Sequence, residues 1–175
     1  MAIYDCFQFF NEEHILDLRF NILNEHVNFF VIVESTTDHQ GNEKKLNFDK
    51  KKFKKFEDKI IYIVVDDTKE SIKIPHKGGE SLVEQHQRNS LLRGLKNCKD
   101  NDLIILSDVD EIPDPNKLHL FDKKYKYAVF SQRMFNYKIN LLNETESNWH
   151  GSKICLKKNL KSPQWLRNLK FKKYP

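Results

Sequence analysis

The sequence predicts an α/β fold, a mostly parallel sheet flanked by helices, and three observations carry that expectation. Phe29-Phe30-Val31-Ile32-Val33, Ile60 to Val65 and Leu103-Ile104-Ile105-Leu106 are short apolar runs rich in β-branched residues. Such runs are the habit of strands buried on both faces of a parallel sheet. Segments of helical spacing fill the intervals between them, as strand-helix-strand units require. Finally, the runs end in acids: Glu34, Asp66-Asp67 and Asp108-Val109-Asp110-Glu111. Open α/β sheets bind ligands at the carboxyl ends of their strands. The layers are Rossmann-like, yet the chain has neither a Gly-x-Gly-x-x-Gly nor a Gly-Lys-Ser/Thr loop, so a bound anion must be held by a cation and by arginine.

At 175 residues the chain is expected to be a single domain with a substantial core. A hydrophobic share of 39% and an aromatic share of 12% exclude a disordered chain. The formal charge of +5 suits an anionic small molecule, nucleic acid or an anionic membrane surface without choosing among them. Cys6, Cys98 and Cys155 have no metal-ligand spacing, so free thiols are expected. The chain opens directly into Ile3-Tyr4-Asp5-Cys6-Phe7 without a basic-then-apolar leader, and no run approaches the ~20 residues of a membrane span. A cytoplasmic location follows as the expectation.

In chain order, Ile3 to Phe10 reads as the first strand. Asn11 is placed to cap a helix with Glu12 and Glu13 in its first turn; contact of Asn11 and Glu12 with a ligand is the other reading. Ile15, Leu18, Ile22 and Leu16, Phe20, Leu23 recur at helical spacing through Glu25. Glu34 either accepts a hydrogen bond from a base or sugar hydroxyl or opens the solvated loop Ser35 to Asn42. Lys44 to Lys59 carries eight lysines among Leu46, Phe48, Phe53 and Phe56, the pattern of a solvated helix face with aromatics turned inward. Ser71 to Gly79 reads as a mobile loop, and Glu80 to Lys96 as a helix. On it Arg88 heads a stripe of Leu91, Leu92 and Leu95, so its guanidinium needs an anion: Glu84, the acids at 108 and 110, or a diphosphate. Tyr127 to Tyr137 reads as one long strand. From Lys153 onward, seven lysines, one arginine and no acid give a tail with no evident last element.

The stretch Leu103 to Pro113 organises the chain. Alternation along a strand puts Asp108 and Asp110 on one face and Val109 in the core. Carboxylates so close repel unless a cation lies between them. Pro113 and Pro115 stop the strand. The stretch therefore points to a divalent-metal site; the plainer alternative is a solvated turn in which Asp114 caps the next helix.

Five stretches stand out together: Ile3-Tyr4-Asp5-Cys6-Phe7-Gln8-Phe9-Phe10-Asn11-Glu12, Leu16-Asp17-Leu18-Arg19-Phe20, Val31-Ile32-Val33-Glu34, Gln87-Arg88-Asn89 and Ser107-Asp108-Val109-Asp110-Glu111-Ile112-Pro113. In this order and spacing they resemble glycosyltransferase family 17, the family of the bisecting β-1,4-N-acetylglucosaminyltransferase. The resemblance implies a GT-A fold, a UDP-sugar donor carrying N-acetylglucosamine, a glycan acceptor and an inverting transfer. It also implies that Asp108 and Asp110 are the family's Asp-x-Asp metal motif. Family members run on into a Gly-Gly-Trp-His-Phe segment, so it implies a C-terminally short member. Residues 1–113 would form the nucleotide-sugar half and residues 114–175 the acceptor half.

On that reading Asp110, helped by Asp108, holds Mn²⁺ or Mg²⁺ against the leaving diphosphate. Arg88 adds fixed positive charge, with Asn11, Glu12, Glu34, Asn89 and Asp108 as the other nucleotide-sugar contacts. Inversion needs a carboxylate base, for which Glu111 is nearest in sequence and Glu144 and Glu146 are alternatives. Arg133, Tyr137 and Trp149 would shape the acceptor side. The rivals are a haloacid-dehalogenase-like phosphatase with Asp108 as nucleophile, a nucleotide-sugar-binding domain without turnover, and a basic binder. The phosphatase pattern has Gly and a small hydroxylic residue where Glu111-Ile112-Pro113 stand. Aromatics at core-like spacing argue against nucleic acid and leave the lysine runs at most a peripheral membrane contact.

Overall fold

The apolar runs become strands where β-branched side chains can pack on both faces. The computed structural model describes residues 1–73, 81–136, 138, 140–145 and 148–170. Strands β1 (Ile3–Gln8), β2 (Phe29–Ser35), β3 (Ile60–Val65) and β4 (Leu103–Leu106) are mutually parallel, and β1 lies between β2 and β4. Helix α1 (Glu13–Leu23) connects β1 to β2, and α2 (Leu82–Asn89), continued by a 3-10 helix over Ser90–Leu95, leads into β4. The strand order β3-β2-β1-β4 reverses direction at β1, so the crevice between the carboxyl ends of β1 and β4 is a topological switch point.

Alternation along each strand sorts the core into two layers. Phe7, Phe30, Ile32 and Ile105 face α1, where Phe20, Phe53 and Phe56 complete an aromatic cluster. Cys6, Val31, Val33, Ile104 and Leu106 face the other way, against Leu91, Leu95 and Leu166. Gly94 lets the 3-10 helix lie on the sheet, because a Cβ there would come within 2.4 Å of Val31 Cγ1.

Four expectations are corrected. The lysine-rich run is no full helix: it forms a 3-10 helix only over Lys54–Lys59. Phe53 and Phe56 do turn inward, while Leu46 is exposed. Tyr127 to Tyr137 is not one strand; it splits into β5 (Tyr127–Val129) and β6 (Gln132–Arg133), and β6 pairs with β7 (Asn148–Trp149) in a separate two-stranded sheet. The lysine-rich tail contains β8 (Lys153–Leu156), a wholly buried strand running antiparallel between β4 and β5, and then α3 (Pro163–Asn168). Finally, β4 ends at Leu106, so Asp108 and Asp110 lie in the turn beyond it and the pleat does not set their directions. Most of the expected mobile loop, residues 74–80, lies outside the described residues. Among the described residues no helix is long and apolar enough to cross a membrane.

Candidate active site

The turn after β4 is built around a side chain that the hydrophobic pattern of α1 hides. Leu16, Arg19, Phe20 and Leu23 form the buried stripe of that helix, and Arg19 is fully enclosed. Its Nε and Nη2 donate to the two carboxylate oxygens of Asp5, at 2.8 and 2.6 Å. Nη2 also donates to Ser107 Oγ at 2.6 Å, and Nη1 to the carbonyls of Asp108, Val109 and Glu111 at 3.0, 3.1 and 3.4 Å. The guanidinium lies 4.5 Å from the centre of the Phe7 ring. A planar fork of donors suits this task as an ammonium does not. Arg19 thus ties the middle of β1 to the acidic turn.

Within the turn the three acids have different surroundings. Asp108 is half-exposed, and each of its oxygens meets an arginine: Oδ1 accepts from Arg88 Nη2 at 3.4 Å and Oδ2 from Arg167 Nη2 at 2.7 Å. Glu111 is buried and folded back. Its Oε2 accepts from the Asp108 amide at 3.0 Å, and its Oε1 from Trp149 Nε1 at 2.5 Å and Arg167 Nη2 at 3.2 Å. Val109 is buried, as expected. Asp110 is exposed and has no hydrogen-bond or ion-pair partner among the described residues.

Arg88 is 3% exposed and meets two of the anions expected for it as alternatives, Asp108 and Glu84, its Nη2 donating to Glu84 Oε1 at 2.6 Å. Its Nη1 donates to Gln164 Oε1 at 2.7 Å on α3. Asn89 joins the same contact: its Oδ1 accepts from the Gln164 amide at 3.0 Å. The helix docked this way, capped by Ser162, delivers Arg167 to the acids. Behind them Lys153 is buried, and its Nζ donates to the carbonyls of His150 and Gly151 at 2.8 and 2.9 Å. Burial, with the nearby Arg167 cation adding to it, pulls Lys153 down to about 8. Gly151 is required by this packing, because a Cβ would fall 1.9 Å from Glu111 Oε1.

Of the other expected contacts, Glu12 lines the smaller cavity beside the turn and Arg133 the larger one, while Glu34 is held within the protein. Glu34 is buried and fully engaged, accepting from Lys44 Nζ and the Asn47 amide on Oε1 and from the Phe48 amide and Tyr62 hydroxyl on Oε2, at 2.6 to 3.0 Å. It anchors the loop after β2 and has no oxygen left for a base or ribose. Asn11 does not cap α1 through its side chain; Glu12 stands at the cap, and its Oε2 accepts from the amides of Phe10 and Asn11 at 3.0 Å. Trp149 braces Glu111, Arg133 lies exposed on β6, and Tyr137 and Glu146 lie outside the described residues. Asp114 caps the 3-10 helix Pro115–Leu120, as the plainer reading of the turn had it.

Two cavities flank the turn, and Asp110 lines both. A cleft of about 200 Å³ lies at the carboxyl ends of β1 and β2, lined by Gln8, Thr37, Lys44, Arg88 and Asp108 among others. A groove of about 790 Å³ opens on the other side, against β5 and β6. Among the described residues no three His, Cys, Asp or Glu side chains converge as a ready-made metal site. A hard cation of the Mg²⁺ kind, however, is commonly held by one or two carboxylates together with substrate phosphates and water. Asp110, unpartnered at the mouth of the cleft, fits that pattern. Asp108 fits it only if Arg167 lets go.

Sequence reasoning missed Arg19, Arg167 and Lys153. For Arg19 the signal was present, a cation at i+3 between Leu16 and Phe20 in an apolar stripe. Arg167 and Lys153 carried none, lying in a basic tail. Comparison with known proteins gives one finding: the family model described as Glycosyltransferase family 17 matches residues 1–159. No curated protein and no solved structure matches.

Proposed function

The chain belongs to glycosyltransferase family 17, and from that premise we propose that it transfers N-acetylglucosamine from a UDP-sugar to an acceptor hydroxyl, with inversion and with Mn²⁺ or Mg²⁺ as cofactor. The observation that carries this reading is Asp110, a carboxylate without a partner among the described residues, at the switch point where a cleft of about 200 Å³ meets a groove of about 790 Å³. The cation, when bound, neutralises charge building on the departing diphosphate. Asp110 would hold it. Arg88 and Arg167, fixed on Asp108, keep positive charge beside the same crevice without reorganisation at the moment of transfer. Asp108 is then an orienting group for two arginines before it is a ligand.

Glu111 is a positioning residue in this scheme, since Trp149, Arg167 and the Asp108 amide take up both of its oxygens. The base falls to Asp114, which lines the larger groove and caps its helix with Oδ1 only. Both oxygens of Asp108 are likewise committed to arginines, which speaks against its service as a phosphatase nucleophile. Calorimetry with UDP-N-acetylglucosamine, with and without manganese, tests the reading. Binding that needs the metal and disappears in Asp110→Ala supports it. Absence of UDP-sugar binding under either condition overturns it.

A further inference from the structure

The larger groove is walled mainly by apolar side chains. Ile112, Leu120, Phe121, Phe130, Phe135 and Ile154 line it, and Leu120 and Phe135 remain 63% and 44% exposed. Ile112, Leu120 and Ile154 offer a sugar no hydrogen bonds, and burying hydroxyls against them is unfavourable, while the three phenylalanine rings can take an apolar chain as readily as a sugar face. Polar groups are present as well: Asp110 at the edge shared with the donor cleft, Asp114, Lys117, Ser131, Gln132 and Arg133. Gln132 Nε2 donates to the Ile112 carbonyl at 2.9 Å, while its Oε1, shielded from solvent, has no donor among the described residues. At about 790 Å³ the groove matches a ligand of drug size bound mainly by apolar contact and oriented by a few polar groups.

We infer that the acceptor is amphipathic, a sugar hydroxyl carried on an acyl or aryl group, and that this groove seats the apolar part while the hydroxyl faces Asp110 and Asp114. The inference rests on the transferase reading and adds the chemical class of the acceptor. The groove joins the donor cleft at Asp110, so an apolar chain lying in it brings its attached sugar to the reacting carbon.

The test compares octyl and methyl β-glucoside as ligands, below the concentration at which the former makes micelles, by calorimetry on the full chain. The octyl glycoside should bind at least about tenfold more tightly, since burial of some two methylene groups already amounts to that factor. Leu120→Ser and Phe135→Ser, both at exposed positions, should abolish the difference and leave metal-dependent UDP binding unchanged. Equal affinity for the two glycosides, or an octyl preference that survives both substitutions, overturns the inference. Groove binding that depends on Leu120 and Phe135, in a protein that binds no UDP-sugar, overturns the acceptor assignment through failure of the transferase reading instead. Transfer to octyl glycosides at lower KM than to methyl glycosides, with kcat unchanged, supports both.

Discussion

Arg19 and Asp5 form an ion pair with no solvent on either side chain. Removing one partner of such a pair leaves a buried charge, at a cost of about 3–5 kcal/mol. Urea unfolding of Arg19→Met should show a loss of that size. Arg19→Lys should recover only part of it, because one ammonium cannot reach Asp5, Ser107 and three carbonyls together. Asp110 lies at the other extreme, exposed and unpartnered among the described residues. Asp110→Ala should change stability by less than about 0.5 kcal/mol while removing metal-dependent nucleotide binding. Asp108→Ala should instead lower stability by about 1.5–3 kcal/mol, since it strips charged hydrogen bonds from Arg88 and Arg167. The contrast separates the carboxylate proposed to meet ligand from the one that meets protein.

At the scale of elements, the site is made where segments meet. The 3-10 helix Ser90–Leu95 lies close on β2 and β3 because Gly94 has no side chain. Gly94→Ala should cost about 1–3 kcal/mol through overpacking against Val31, measured by thermal unfolding, with little effect on nucleotide affinity. Gly151→Ala should do the reverse in kind, displacing Glu111 and Trp149 and changing the tryptophan emission of the folded protein. Strands β1 to β4 were legible because burial on both faces demands unbroken apolar runs. Strand β8 was not. It is four residues long, and its first residue is a lysine whose charge sequence patterning assigns to solvent. That lysine is buried because the carbonyls of His150 and Gly151 receive its ammonium. The length of β4 was misjudged for a related reason: Arg19 bonds the carbonyls after Leu106 and bends the chain away from the sheet.

For the whole molecule, Lys153 ties stability to pH. Its ordinary value of 10.5 falls to about 8 in the folded chain. Between those values the native protein has released a proton that the unfolded chain still holds. Unfolding therefore takes up a proton, and stability rises with pH. Relative to Lys153→Met, the wild-type protein should gain stability as pH increases from about 8 to 10.5, read from urea midpoints at each pH. The thiols add a second global signature. Burial pushes Cys6 well up and Cys155 up to about 12, so the native fold should react with a thiol reagent at Cys98 alone, and slowly, because Cys98 is itself raised to about 11.

The amino-acid sequence by itself determined the four parallel strands, the helices after β1 and before β4, and the acidic stretch at the carboxyl edge of β4. Local periodicity and strand-ending acids report burial directly. It also carried the resemblance that the family match upholds. Only the tertiary structure decided which acid is free. Asp108, Asp110 and Glu111 are near-equals in a linear chain, and arginines from α1, α2 and α3 hold Asp108 and Glu111 while Asp110 has no partner among the described residues. Partners that lie scores of residues away leave no mark on local pattern. Charge pairing across a fold is set by where the backbone places each side chain.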